Sequence, residues 1–126
     1  MKLIVNILLM LASIFLLLVL APLGVSMTII LLFFKDDREI WQDSKQYPFS
    51  IAYAIDMLGN VICADLFNLT LIKIGGYQFG QHRETISSAI GKNLKANKLT
   101  LAGLALNWFL NQFEKDHALK SIQYNP

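Results

Sequence analysis

The chain has 126 residues, 55% of them hydrophobic, with a mean hydropathy of +0.48 and a formal net charge of +2. That length bounds it to one small domain plus an anchor. Ten of the eleven Lys and Arg follow the first 34 residues and are dispersed among all nine acids, which excludes the one-sided basic footprint of a nucleic-acid binder.

Leu3 to Phe34 contains no ionisable side chain. Crossing a hydrocarbon core of about 30 Å takes roughly 20 helical residues, and Leu3 to Ala21 nearly suffices before Pro22. Residues 1–34 are therefore expected to form a membrane anchor. The run passes through Gly24-Val25-Ser26, the one weak cleavage candidate, and continues well beyond the ordinary length of a signal h-region, so an uncleaved anchor is expected. A straight helix over this run would reach about 48 Å. The expected accommodation is a single span kinked near Pro22 and Gly24, and the alternative is a hairpin turning at Ala21–Gly24. Lys35, Arg38 and Lys45 on the C-terminal side, against Lys2 and the amino terminus, place the remainder in the cytoplasm.

Residues 35–48 read as a polar juxtamembrane segment, with Trp41 and Tyr47 suited to the headgroup region and Pro48 as its stop. Residues 49–126 read as a small, membrane-proximal helical domain, so the chain is all-α. From Phe49 to Ile74 apolar residues fall at helical spacing, Ile51, Ala54, Ile55, Leu58, Val61 and Ile62 among them. Asp56 and Asp65 make full insertion of this stretch costly, which predicts a buried or interfacial helix broken after Gly59-Asn60. Cys63, the only cysteine, cannot form an intramolecular disulfide, and its apolar neighbours suggest a small buried hydrophobe. Gly75–Gly80 is a loop on composition. Thr85 is the expected N-cap of a helix over Ile86–Ala96, with Ser88 in its first turn, Glu84 at its positive end and Gly91 permitting close packing. Thr100 is expected to cap a longer helix through Leu101, Trp108 and Phe113, and Asp116 a last short one.

Among polar side chains, Asp56 and Asn60 share a helix face in an apolar run, which calls for structural partners such as Arg83, Lys92 or the Glu84-Thr85 helix start. His82, Glu84, Asp116 and His117 are ligand-type residues, but neither HxxxH nor HExxH is present, so no metal and no cofactor are expected. Glu84, Asp116 and His117 are the weak candidates for an active site.

Three blocks, SIAYAIDMLGN (Ser50–Asn60), ETISSAIGK (Glu84–Lys92) and EKDHALKSI (Glu114–Ile122), resemble a family of small uncharacterised proteins encoded by tailed phages and prophages. The chain departs from the family pattern by inserting Val61–Arg83 between the first two blocks, by Ala89 where Arg is usual, and by lacking a closing cysteine. The resemblance implies a genomic context, a phage or prophage accessory protein in a bacterial cell, and brings no established activity with it; with the apolar run at Leu3–Phe34, that makes the expected location the bacterial inner membrane. Such a protein would act by contacts with a protein partner or with itself beside the lipid bilayer, in host takeover, superinfection exclusion, lysis control or a virion membrane. A membrane-tethered enzyme using Glu84, Asp116 and His117, and a holin-like lysis protein, are the alternatives.

Overall fold

The computed structural model describes residues 2–33 and 46–126, which are mostly helical and fall into two units, residues 1–44 and 45–126. The polar segment assigned to residues 35–48, with Trp41, lies largely outside the described residues.

The first unit is one helix, α1 (Lys2–Phe33). It is unbroken through Pro22 and Gly24, so the hairpin alternative is not formed. Proline has no N–H to give to the carbonyl four residues earlier, and hydroxyls one turn on add local bonds: Ser26 Oγ donates to the Pro22 carbonyl at 2.7 Å and Thr28 Oγ1 to that of Gly24 at 3.0 Å. The stretch Lys2–Ile30 is long and apolar enough to cross a membrane, and none of it is buried within the unit.

The second unit comprises α2 (Gln46–Ile62), α3 (Ala64–Thr70), α4 (Ile86–Lys95), α5 (Leu101–Leu110) and α6 (His117–Lys120). Pro48 lies inside the first turn of α2 and does not stop a preceding helix. A first-turn N–H has no intrahelical acceptor, so proline is tolerated there. The apolar stretch breaks as expected after Asn60: α2 and α3 meet at Cys63 with a bend of 73°. Cys63 is half-buried at that bend and does not belong to the buried core.

Thr85 caps α4, its Oγ1 accepting from Ser88 N at 3.1 Å, and Thr100 caps α5 by accepting from Gly103 N at 3.2 Å. Asp116 precedes α6 but has left-handed backbone angles (φ 59°) and makes no side-chain cap bond, so its expected capping role is not realised. The α5 helix ends at Leu110, and Phe113 lies in the turns beyond it.

The core is small: Leu71, Ile72, Phe79, Ala89, Ile90, Leu99 and Ala118, with Ile86, Leu94, Leu106 and Leu110 packed around it. Two glycines permit its closest approaches. A Cβ on Gly91 would overlap the Ala118 carbonyl, and one on Gly103 would overlap the Leu71 carbonyl. Gly91 thereby seats α6 on α4, and Gly103 seats α5 on the segment leaving α3. That segment is fixed by an antiparallel bridge between Ile72 and Leu99, with Lys73 N donating to the Lys98 carbonyl at 2.7 Å.

Candidate functional site

The loop between α3 and α4 is held from three sides by asparagines whose amides substitute for strand partners. Asn68 Oδ1 accepts from Phe79 N at 2.7 Å, and Asn93 Oδ1 accepts from Tyr77 N at 2.7 Å while its Nδ2 donates to the Tyr77 carbonyl at 2.8 Å. Asn60, fully buried, accepts from Gly80 N at 3.1 Å and donates to the Gln81 and Glu84 carbonyls at 3.1 and 2.8 Å. A buried backbone polar group left unpaired costs about as much as a lost hydrogen bond, so these three side chains make an irregular segment compatible with the interior.

The loop delivers Glu84 to the centre of the unit, where it is completely buried. Its Oε1 accepts from Ser88 Oγ and from Lys92 Nζ, both at 2.6 Å, and its Oε2 accepts from the Tyr77 hydroxyl at 2.7 Å. The Lys92 ammonium also donates to the Tyr77 hydroxyl at 3.1 Å and lies 4.2 Å from that ring's centroid. Burial and the bond to Glu84 push the Tyr77 phenol above its ordinary 10.0. Burial opposes a charged Lys92, but its bonds to Glu84 and Tyr77 outweigh that and raise it above 10.5. Ser88 Oγ accepts in turn from Gln123 N at 2.8 Å, while Gln123 Oε1 accepts from Thr85 N at 2.9 Å and its Nε2 donates to the Tyr53 hydroxyl at 2.6 Å. The cluster thus ties α2, the loop, α4 and the C-terminal segment together. Both carboxylate oxygens of Glu84 are occupied by neighbours of this chain.

Asp56 meets the start of α4 directly: Oδ1 accepts from Ile86 N at 3.0 Å and Oδ2 from Ser87 Oγ at 2.9 Å. It also lines an open cleft of about 310 Å³ with Phe49, Tyr53, Thr85, His117 and Lys120. At the mouth, Glu114 accepts from Lys120 Nζ at 3.0 Å and bonds His117 Nδ1 at 3.1 Å, and these two partners hold its carboxyl below the ordinary carboxylate range. His117 therefore faces the cleft while Glu84 faces the interior, and Asp116 lines neither. The three candidate catalytic residues are not brought together. No cluster of three His, Cys, Asp or Glu side chains suited to a metal occurs among the described residues, and His82 lies on the exposed loop.

The unit's apolar side chains lie largely outside. On α2, Ile51, Ile55, Leu58 and Ile62 form an exposed stripe while Asp56 and Asn60 face inward. The α5 stripe is also outward: Trp108 is 65% exposed, with Leu101, Leu104, Phe109 and Phe113 beside it. On this helix Gly103 is buried and Leu106 and Leu110 pack against the core.

Sequence reasoning missed Tyr77, Asn68, Asn93, Gln123 and Glu114. The available signal for Asn68 and Asn93, as for Asn60, was an amide in an apolar or helical context, where it needs a partner. The three blocks Ser50–Asn60, Glu84–Lys92 and Glu114–Ile122, distant in sequence, fall on α2, α4 and α6 and meet through Asp56, Asn60 and Gly91. Comparison of the chain with protein-family models, with curated proteins and with solved structures gives no match.

Proposed function

We propose that this chain is a phage- or prophage-encoded accessory protein of the bacterial inner membrane, anchored by an uncleaved α1 with its C-terminal unit in the cytoplasm, and that it acts through protein–protein contact. Host takeover, superinfection exclusion, lysis control and a place in a virion membrane are the processes such a protein serves. The observation that carries the contact reading is the α2 stripe. Ile51, Ile55, Leu58 and Ile62 are spaced four, three and four residues apart, the spacing of a helix–helix seam, and all four are exposed in the folded unit. The same helix turns its polar residues inward, to fix α4. An apolar stripe of this length on a folded unit is a surface for a partner or for a second copy.

The anchor is supported by the length and apolarity of α1, the orientation by Lys35, Arg38 and Lys45, and the phage origin by the three short blocks. Site-specific photo-crosslinking in cells tests the contact. A benzophenone side chain at Ile51, Ile55, Leu58 or Ile62 should give discrete protein adducts, self or foreign, whereas one at the exposed Lys115, away from α2, should not. Lipid adducts alone at all four positions would refute the contact. An intact mass starting near Met27 would refute the anchor.

A further inference from the structure

We infer that the edge where α3, the Ile72–Leu99 bridge and α5 meet is a second docking surface, and that its occupant is the anionic headgroup region of a phospholipid bilayer. This goes beyond the α2 contact and uses a different face; it rests only on the membrane-tether half of the preceding proposal.

Ile74 is the tip of this edge and is 98% exposed. Lys98 Nζ donates to its carbonyl at 3.3 Å, and Lys73, the preceding residue, donates from Nζ to the Asn97 carbonyl at 3.5 Å. The Thr100 hydroxyl donates to the Thr70 carbonyl at 2.6 Å, which sets the last turn of α3 against the first of α5. Leu69, 84% exposed, and Leu101, 86% exposed, adjoin that junction, and the α5 stripe continues from Leu101 through Leu104 to Trp108. The result is a run of protruding aliphatic side chains with lysines at its tip and an indole along its length. Aliphatic groups suit the acyl boundary, lysine stems run along it with their charges in the headgroups, and tryptophan is favoured at that depth.

Charge selects the lipid. From Leu66 to Phe113 the only acid is Glu84, which is buried against Lys92. The other ionised residues of that span are Lys73, Arg83, Lys95 and Lys98, all cationic. Asp65, exposed at the start of α3, is the nearest acid in sequence to this edge. A protein partner would need its own acidic rim, whereas an anionic leaflet attracts every cation within a Debye length of its surface. Anchoring through α1 also keeps the whole chain at high effective concentration beside a bilayer.

The test uses the full chain with Cys63→Ala, reconstituted in nanodiscs of phosphatidylcholine with one quarter phosphatidylglycerol. Spin labels at Ile74→Cys, Leu69→Cys and Leu101→Cys are compared with Ile14→Cys in α1 and Lys115→Cys on the exposed segment before α6. The inference predicts that labels at 69, 74 and 101 collide more with oxygen than with a water-soluble nickel complex, as at 14, and that 115 does the opposite. It also predicts that Lys73→Glu with Lys98→Glu reverses the signal at 74 while the melting temperature holds. A nickel-accessible label at 74 with a lipid-facing label at 14 would overturn this inference alone. Labels at 69, 74 and 101 shielded from both reagents would overturn it in favour of a protein occupant, and an aqueous label at 14 would overturn the tether as well.

Discussion

Removing the Glu84 carboxylate should be the most damaging conservative change in the C-terminal unit. Glu84→Ala deletes three hydrogen bonds, from Ser88 Oγ, Lys92 Nζ and the Tyr77 hydroxyl, in a fully buried setting. Breaking a buried ion pair from one side costs about 3 to 5 kcal/mol. Two features reduce that here. The Lys92 side chain keeps 17% of its exposure and so reaches water, and Ser88 Oγ retains its bond from Gln123 N. A loss of about 2 to 4 kcal/mol is therefore expected, which for a unit of this size lowers the melting temperature by roughly 10 to 20 °C. Glu84→Gln keeps the shape and part of the bonding and should cost about half as much. Thermal unfolding of the full chain in detergent, followed by circular dichroism, measures both. Combining Glu84→Gln with Lys92→Met should cost less than the sum of the two, because the second change removes the ion the first leaves uncompensated. Additive effects, or a Glu84→Ala variant within about 0.5 kcal/mol of the parent, would show that the buried cluster does not hold the unit together.

Asp56→Ala should destabilise by about 1 to 3 kcal/mol by orphaning Ile86 N and Ser87 Oγ, and Asp56→Asn by less, as read by the same melts. Gly91→Ala gains about 1 kcal/mol in helix propensity but drives a methyl into the Ala118 carbonyl; the net should be a loss of about 1 to 2 kcal/mol and weakened protection of the α6 amides from hydrogen exchange. Tyr77 and Lys92 both titrate above their unfolded values of 10.0 and 10.5, so their contribution is complete below those values and is lost as pH rises through the folded ones. The melting temperature should accordingly fall above about pH 10, and the fall should flatten in Tyr77→Phe with Lys92→Met.

Local rules made the helices legible. Thr85 and Thr100 cap where their sequences say they should, and the Asp56 and Asn60 pair leads directly to the start of α4. Apolar periodicity located α2 and α5 but not what their faces meet, since a stripe such as Ile51, Ile55, Leu58 and Ile62 reads the same whether it meets a core, a partner or lipid. For Trp108 the consequence is quantitative: with the ring 65% exposed, truncation to alanine removes only a minor part of the 3 to 5 kcal/mol that a core tryptophan carries. The buried cluster was illegible because Tyr77, Glu84, Lys92 and Gln123 come together through a loop whose path is set by three distant asparagine amides. Pro48 and Asp116 show the limit of single-residue rules: proline sits in a first turn where it is tolerated, and aspartate at a helix start adopts a left-handed backbone instead of capping.

In the function we propose, the C-terminal unit folds on its inward polar residues and makes its protein contact through the outward α2 stripe. The most direct measurement pairs Ile55→Glu and Leu58→Glu in one full-length variant and reads melting temperature and photo-crosslinking from Ile62 in the same preparation. Both side chains are exposed, so the melting temperature should stay within a few degrees of the parent while the protein adducts disappear. Unchanged adducts, or a unit unfolded by two surface changes, would contradict it.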